Sequence, residues 1–230
     1  MGFLINPFFV APAGVTPASF TPLRWYDAAT YALADGATIT TAMPWDDLSL
    51  NNSDATTTLG FEPTFRTNIF GALPAVRLLT PQHLAFTGDL VLTDLTIICV
   101  AKVNGDSIWL SRSGLNRQIR VFRSGANVYS FVATAGEVVS GVLSQPATDA
   151  RMNTWRHDFS GTTQVEFFEN ATLFAGGVNG QTQTLNQIGI IDGGPLNIDI
   201  GEMVIYDSSL SDTNVIALYN DYFKPKFGLP

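Results

Sequence analysis

From Leu90 to Tyr206 the chain is a succession of short runs rich in β-branched and aromatic residues, each closed by a turn signal. Such punctuation leaves no room for long helices and calls for many short strands. The expected strands lie near 94–103, 107–111, 117–123, 127–133, 138–143, 154–159, 163–169, 185–191 and 198–206. Between them stand Asn104-Gly105-Asp106, Ser113-Gly114, Ser124-Gly125, Ser160-Gly161 and Gly176-Gly177. Asn104-Gly105 is a tight-hairpin signal, because both residues tolerate the positive φ that such turns need. Spacing of this kind reads as a β-sandwich. No long amphipathic helix, coiled-coil heptad or internal repeat interrupts it.

The close of the chain, 198–230, has its own grammar. A strand over 198–206 gives way to turn-formers from Asp207 to Ser211. Ser211 can then cap a short helix, whose apolar residues Val215, Leu218, Tyr219 and Tyr222 recur at spacings of three and four. Pro225 and Gly228 are expected to end it.

The composition narrows what such a sandwich can do. Over 230 residues, 46% are hydrophobic and only 14% charged, so the core can be large and part of the surface is expected to be covered by a partner. The net charge of −8 argues against nucleic acid and against anionic membranes, both of which need basic faces. The single cysteine, Cys99, lies in an apolar run and reads as a buried strand thiol. With only His83 and His157, a histidine metal site or a triad is poorly supplied. Apolar runs are strand-sized, which predicts no membrane-spanning helix. No basic residue precedes Arg24, and Asn6, Pro7 and Pro12 interrupt the apolar start, so no signal peptide is expected.

Residues 1–24 form a segment apart. Prolines at 7, 12, 17 and 22 remove ladder donors and favour an extended arm. Phe3, Leu4, Ile5, Phe8, Phe9 and Phe20 make it too apolar for a solvated linker. It either lies in a groove on its own domain or docks on a neighbouring subunit.

Several short motifs, in order along the chain, carry a family resemblance. They are Trp25-Tyr26-Asp27-Ala28 with Asp35-Gly36 and Ile39, and the loop from Trp45-Asp46-Asp47 through Asp54-Ala55-Thr56. Pro63-Thr64-Phe65, Gly71 and Pro74-Ala75-Val76-Arg77 follow, then Trp155-Arg156-His157 with Asn170-Ala171-Thr172. The last are Gly201-Glu202 through Tyr206-Asp207, Leu210-Ser211-Asp212 and Lys226-Phe227-Gly228-Leu229. Over residues 25–229 the chain resembles concanavalin A-like lectin/glucanase, or laminin-G-like, jelly-roll domains. It departs from them in lacking the glycines of the 45–56 loop and in having Ala171 where glycine is usual. The resemblance implies an all-β jelly-roll β-sandwich with an extended N-terminal arm and a short C-terminal helix.

Glucanases of this fold hydrolyse glycosides, which takes two carboxylates at a set separation across a cleft. Residues on one strand share a face only at even spacing. Glu166 and Glu169 are three apart, and Glu202 stands alone beside Gly201, so these acids read as solvated edge carboxylates and the chain as no enzyme. Asp46, Asp47 and Asp54, with Ser49, Asn51 and Asn52, offer hard oxygen donors for calcium. The same residues cluster wherever a chain turns, and the turn reading is preferred. For glycan binding, which takes aromatic platforms beside amides, the candidates are Trp45 with Asn51 and Asn52, and then Trp109. Trp25 and Trp155 fall at core positions of the family pattern. Arg112, Arg117, Arg120 and Arg123 form a basic stretch suited to docking on an acidic protein, although solvated arginines on an edge hairpin are the preferred reading.

The expectation is one jelly-roll domain over 25–230 behind an arm at 1–24. Jelly rolls with such a start and close resemble structural proteins of tailed bacteriophages. That resemblance implies a non-enzymatic virion surface protein, of capsid-decoration, head-fibre or tail-fibre type. It would be made in the host cytoplasm without a signal peptide and need no cofactor beyond the calcium option. Its partners would be other copies of itself and other virion proteins, met through the arm (Phe3, Leu4, Ile5, Phe8, Phe9) and through Arg117, Arg120 and Arg123. Host surface glycans would be further partners. The second reading is a lectin-like carbohydrate-binding module whose main role is host-surface recognition.

Overall fold

The computed structural model describes residues 14–104, 107–112, 115–122, 128–133, 136–142, 149–178, 183–189 and 196–230, with backbone only for Leu92, 107–142 and Gln183. Among the described residues the strands are β1 (Arg24–Asp27), β2 (Thr64–Phe70), β3 (Leu73–Leu79), β4 (His83–Leu92), β5 (Leu95–Val103), β6 (Ser107–Arg112) and β7 (Leu115–Phe122). They continue with β8 (Val128–Ala133), β9 (Gly136–Val142), β10 (Arg151–His157), β11 (Val165–Glu169), β12 (Thr172–Gly177), β13 (Gln183–Gly189) and β14 (Asn197–Tyr206). One sheet runs β12-β11-β10-β5-β14-β3-β2 with β1 also on β14; the other runs β4-β13-β6-β7-β8-β9. Every pairing is antiparallel, and the chain is the all-β, jelly-roll-like sandwich that the turn punctuation predicts.

Alternation sorts the side chains. On β5, Ile97, Cys99, Ala101 and Val103 face the space between the sheets, where Leu84 and Leu90 of β4 and Leu185 and Ile188 of β13 meet them. Ile98 and Val100 face the other way and are covered by the C-terminal helices. The middle of the first sheet is thus buried on both faces, which is why β5 and β14 are apolar at most positions rather than alternating.

β14 changes hands half-way. Ile198 and Ile200 point between the sheets, the register against β5 shifts between Ile200 and Glu202, and thereafter Met203 and Ile205 point inward. One extra residue flips the parity of all that follows. β3 pairs with β14 as far as Ile200, and β1 takes over that edge from Glu202. The extra residue is Gly201, where an added Cβ would lie 2.7 Å from Phe227 Cε1 and 3.0 Å from Phe70 Cε2. Only glycine lets the helix layer press this close.

The helix layer begins as the sequence predicts, with Ser211 Oγ accepting from Asn214 N at 3.3 Å ahead of α1 (Asp212–Leu218). Pro225 does not end it. A π-helical turn at Tyr219–Phe223 re-registers the backbone, and Pro225 falls in the first turn of α2 (Lys224–Phe227), where its missing N–H has no helical partner to lose. Gly228, at φ 64°, makes the stop.

The described part of the N-terminal arm packs on its own domain. Val15 and Phe20 lie against the outer apolar layer. A 3-10 turn at Pro17–Phe20 brings Pro17 O to the Tyr206 hydroxyl at 3.3 Å and the Phe20 ring to 6.4 Å from that of Tyr206. Arg24, the last residue of the expected arm, already belongs to β1. Phe3, Leu4, Ile5, Phe8 and Phe9 lie outside the described residues.

Candidate functional site

Behind β1, Asp27 Oδ1 accepts from Ala29 N at 2.9 Å and caps a 3-10 turn at Ala28–Thr30. The chain then lays the half-buried Tyr31 over Phe65, ring centroids 6.4 Å apart. The Tyr31 hydroxyl donates to Pro44 O and accepts from Asp46 N, which fixes the ring. Residues 36–37 run along β2 through Gly36 N to Phe65 O at 2.8 Å and Phe65 N to Ala37 O at 2.7 Å. Asp35 Oδ1 accepts from Thr67 N at 3.0 Å and Arg66 Nε at 2.9 Å, and these bonds hold its carboxyl below the usual range. Beyond this point the β2–β3 register breaks between Arg66 and Phe70, with Asn68 at φ 56°.

The break leaves a recess of about 420 Å³ between the 29–33 segment and the β2–β3 hairpin, lined by Tyr31, Leu33, Phe65, Thr67, Asn68, Ala72 and Pro74 among others. An aromatic wall beside a hydroxyl and an exposed amide is the equipment of a small polar-ligand site, and the volume falls in the range such sites occupy.

The residues nominated from sequence fall elsewhere. Trp45 is fully buried, its ring 5.5 Å from that of Tyr26 in the core, so it is no glycan platform. Its backbone bridges Ala55, and alternation turns its side chain inward while Asp46 points out. Asn51 is exposed and donates to Leu23 O at 2.9 Å. Asn52 supplies the left-handed turn, φ 47°, that the family loop makes with glycine. The Trp109, Arg112, Arg117 and Arg120 side chains and all of Arg123 lie outside the described residues.

Asp47, a metal candidate, is spent on the loop itself. Oδ1 accepts from Trp25 N at 2.8 Å and Ser49 N at 2.9 Å; Oδ2 accepts from Ser49 Oγ at 2.8 Å and Ser53 N at 2.9 Å. Asp54 Oδ1 accepts from Asp47 N at 2.9 Å. Burial, then the Asp54 charge, raises Asp46. Among the described residues no three acidic, histidine or cysteine side chains converge on a point a metal could occupy. The loop makes the bonds that the turn reading calls for, with Asp47 committed to three backbone amides. Cys99 is buried, and burial pushes its thiol up, as for an inert core residue.

The glutamates are not solvated edge carboxylates. Glu169 is buried and ion-paired with Arg151. Glu166 accepts from Arg156 Nε at 2.7 Å, and Arg156 also donates to Leu210 O at 2.7 Å, tying the sheet to the start of α1. Glu202 is wholly buried. The bulge at Gly201 turns it toward the helix layer, where Lys226 Nζ lies 2.7 Å from its Oε2 and 2.6 Å from Asp27 Oδ2. Trp25 Nε1 donates to Glu202 Oε1 at 2.6 Å, and the Tyr222 hydroxyl is 3.0 Å from Nζ. Burial outweighs the Lys226 charge and, with Asp27 adding to it, pushes Glu202 up to about 7. Sequence reasoning passed over this cluster. Its one signal was a glutamate inside a largely apolar strand, where a buried carboxylate requires a partner.

No protein-family model and no curated protein matches the chain. Solved structures do. The ligand-binding domain of botulinum neurotoxin serotype D, in complex with N-acetylneuraminic acid, aligns with a TM-score of 0.58 at 10% identity, over 90% of this chain and 52% of that one. The botulinum neurotoxin type G receptor-binding domain gives 0.57 at 10% identity, over 86% and 51%. The binding domain of Paraclostridial mosquitocidal protein 1 gives 0.52 at 14%, over 77% and 49%. This chain spans about half the length of each. At such identities the likeness is one of fold.

Proposed function

We propose that this chain is a non-enzymatic, lectin-like recognition domain whose β2–β3 recess takes a sugar unit. The observation that carries the reading is the recess itself: the half-buried Tyr31 ring as an aromatic wall, backed by the buried Phe65, with Thr67 and Asn68 as polar groups, on a sandwich of the kind used by receptor-binding domains. The acids weighed for hydrolysis are committed to arginine or lysine partners, which fits binding rather than turnover. An acidic chain favours neutral sugars over anionic ones. A glycan array tests this. Binding should appear and should fall about tenfold in Asn68→Gly, which keeps the positive φ but removes the amide, and in Ala72→Phe, which fills the recess. A flat array would overturn the recognition reading; binding indifferent to both substitutions would move the site elsewhere.

The finer proposal places this domain on the surface of a tailed-bacteriophage particle, as decoration or fibre, with copies of itself and other virion proteins as partners. Its support is the apolar, proline-punctuated start of the chain in an otherwise charge-poor sandwich. Because Pro17 and Phe20 pack on Tyr206, the informative truncation keeps them and begins at Gly14. Light scattering should find the full chain oligomeric and the 14–230 chain monomeric. Equal masses for the two would remove the arm from assembly.

A further inference from the structure

Lys226 and Asp27 are 199 positions apart in sequence, yet Nζ and Oδ2 are 2.6 Å apart in a site closed to water. The side chains of Lys226, Asp27 and Glu202 are 5%, 9% and 0% exposed. The aromatic rings of Tyr222 and Phe227 stand 5.1 and 5.2 Å from Nζ. Both reacting groups are held in place. Asp27 Oδ1 is fixed by Ala29 N, and Glu202 is gripped by Trp25 Nε1 on one oxygen and Lys226 on the other.

From this geometry we infer that Lys226 and Asp27 condense into an intramolecular amide bond, with Glu202 as the catalytic acid–base. The ammonium and the carboxylate together hold every atom of the product amide and one water. Glu202 Oε2 takes a proton from Nζ, and the freed lone pair attacks Asp27 Cγ. The Nζ–Cγ bond forms and one Cγ–O bond breaks. The departing oxygen leaves as water with the two protons that nitrogen gives up, Glu202 carrying them across. Nothing is oxidised or reduced, and no other reactant is needed.

Two physical factors favour the step. Fixing nucleophile and electrophile in contact removes the entropic cost that makes such condensations slow between free molecules. Burial penalises the two charges consumed and excludes the water that would reverse the reaction. A group shuttling protons near neutrality must exist in both forms there, and Glu202, pushed up to about 7, does. Burial alone would lower Lys226; the charges of Glu202 and Asp27 outweigh it and hold the ammonium above its ordinary range. The neutral amine therefore arises only when an adjacent carboxyl group takes its proton, which is the role assigned to Glu202.

Intact-protein mass spectrometry of the purified, denatured chain decides the matter. The wild type should be lighter than its sequence by one water molecule. Proteolysis and tandem mass spectrometry should yield a branched peptide joining the Asp27 and Lys226 segments. Lys226→Ala, Asp27→Ala and Glu202→Gln should each show full mass, and Asp27→Asn should form the same bond with loss of ammonia in place of water. A wild type of full mass after incubation at neutral pH would overturn the proposal and leave an ion pair. So would the same mass deficit in Lys226→Ala. The wild-type mass and peptide map stand whether or not every variant folds. A cross-link that formed normally in Glu202→Gln would remove Glu202 from the catalytic role.

Discussion

Asp27 and Glu202 stand directly opposite one another on antiparallel strands, two acids in register, with the Lys226 ammonium within 2.7 Å of both. Like charges facing each other across a ladder destabilise it. Here the pair exists because a third element brings a cation to the junction, so the β1–β14 edge and the C-terminal helix depend on each other.

Replacing that cation is expected to be severe. Lys226→Met leaves two buried carboxylates uncompensated, which costs at least about 3 kcal/mol. Urea unfolding should show this loss. Adding Glu202→Gln to Lys226→Met should restore part of it, because the two sites share one interaction.

Gly201 sets how closely the helix layer approaches. Gly201→Ala places a methyl group against Phe227 and Phe70 and should destabilise by about 1–3 kcal/mol. Phe227→Leu in the same chain should recover some of that, as thermal melts of the single and double variants would reveal.

The Asp47 loop should be insensitive to calcium and sensitive to its carboxylate. Asp47→Ala strands two backbone amides that are now bonded inside the loop and a third at Trp25, for a loss of about 2–4 kcal/mol. Melting temperatures of the wild type in calcium and in chelator should coincide; a clear rise with calcium would refute the turn assignment.

Stability should fail on the alkaline side. Burial raises the phenols of Tyr26 and Tyr206 above their ordinary value of 10.0. A folded pKa above the unfolded one means a contribution fully present below pH 10 and lost as pH climbs past it. Melting temperatures measured across pH 8 to 11.5 should hold and then fall above about 10. Tyrosinate absorbance should rise together with unfolding rather than before it.

What the sequence made legible follows from how local each signal is. Ser211 and Gly228 delimit the helix layer through bonds within a few residues, and β5 and β14 declare themselves as runs apolar at most positions. β2 hides because Asn68 bends it out of register, and an asparagine, which tolerates positive φ, reads as a turn rather than as part of a strand. The recess has no motif at all, being assembled from the 29–33 segment and a distant hairpin. Trp45 misled because its polar neighbours suggested a rim, whereas alternation through the Ala55 bridge buries the ring. Ala171, at φ 63°, holds a left-handed conformation that glycine would adopt at less cost.

β1 pairs along the edge of β14, and the last helix packs on one face of the same strand. A pull between Arg24 and the last helix would load the β1–β14 pairing and the contacts of Lys226 with Asp27 and Glu202. Joined covalently to Lys226, Asp27 would pass that pull straight from β1 to the helix, and the hydrogen bonds between β1 and β14 would be spared it.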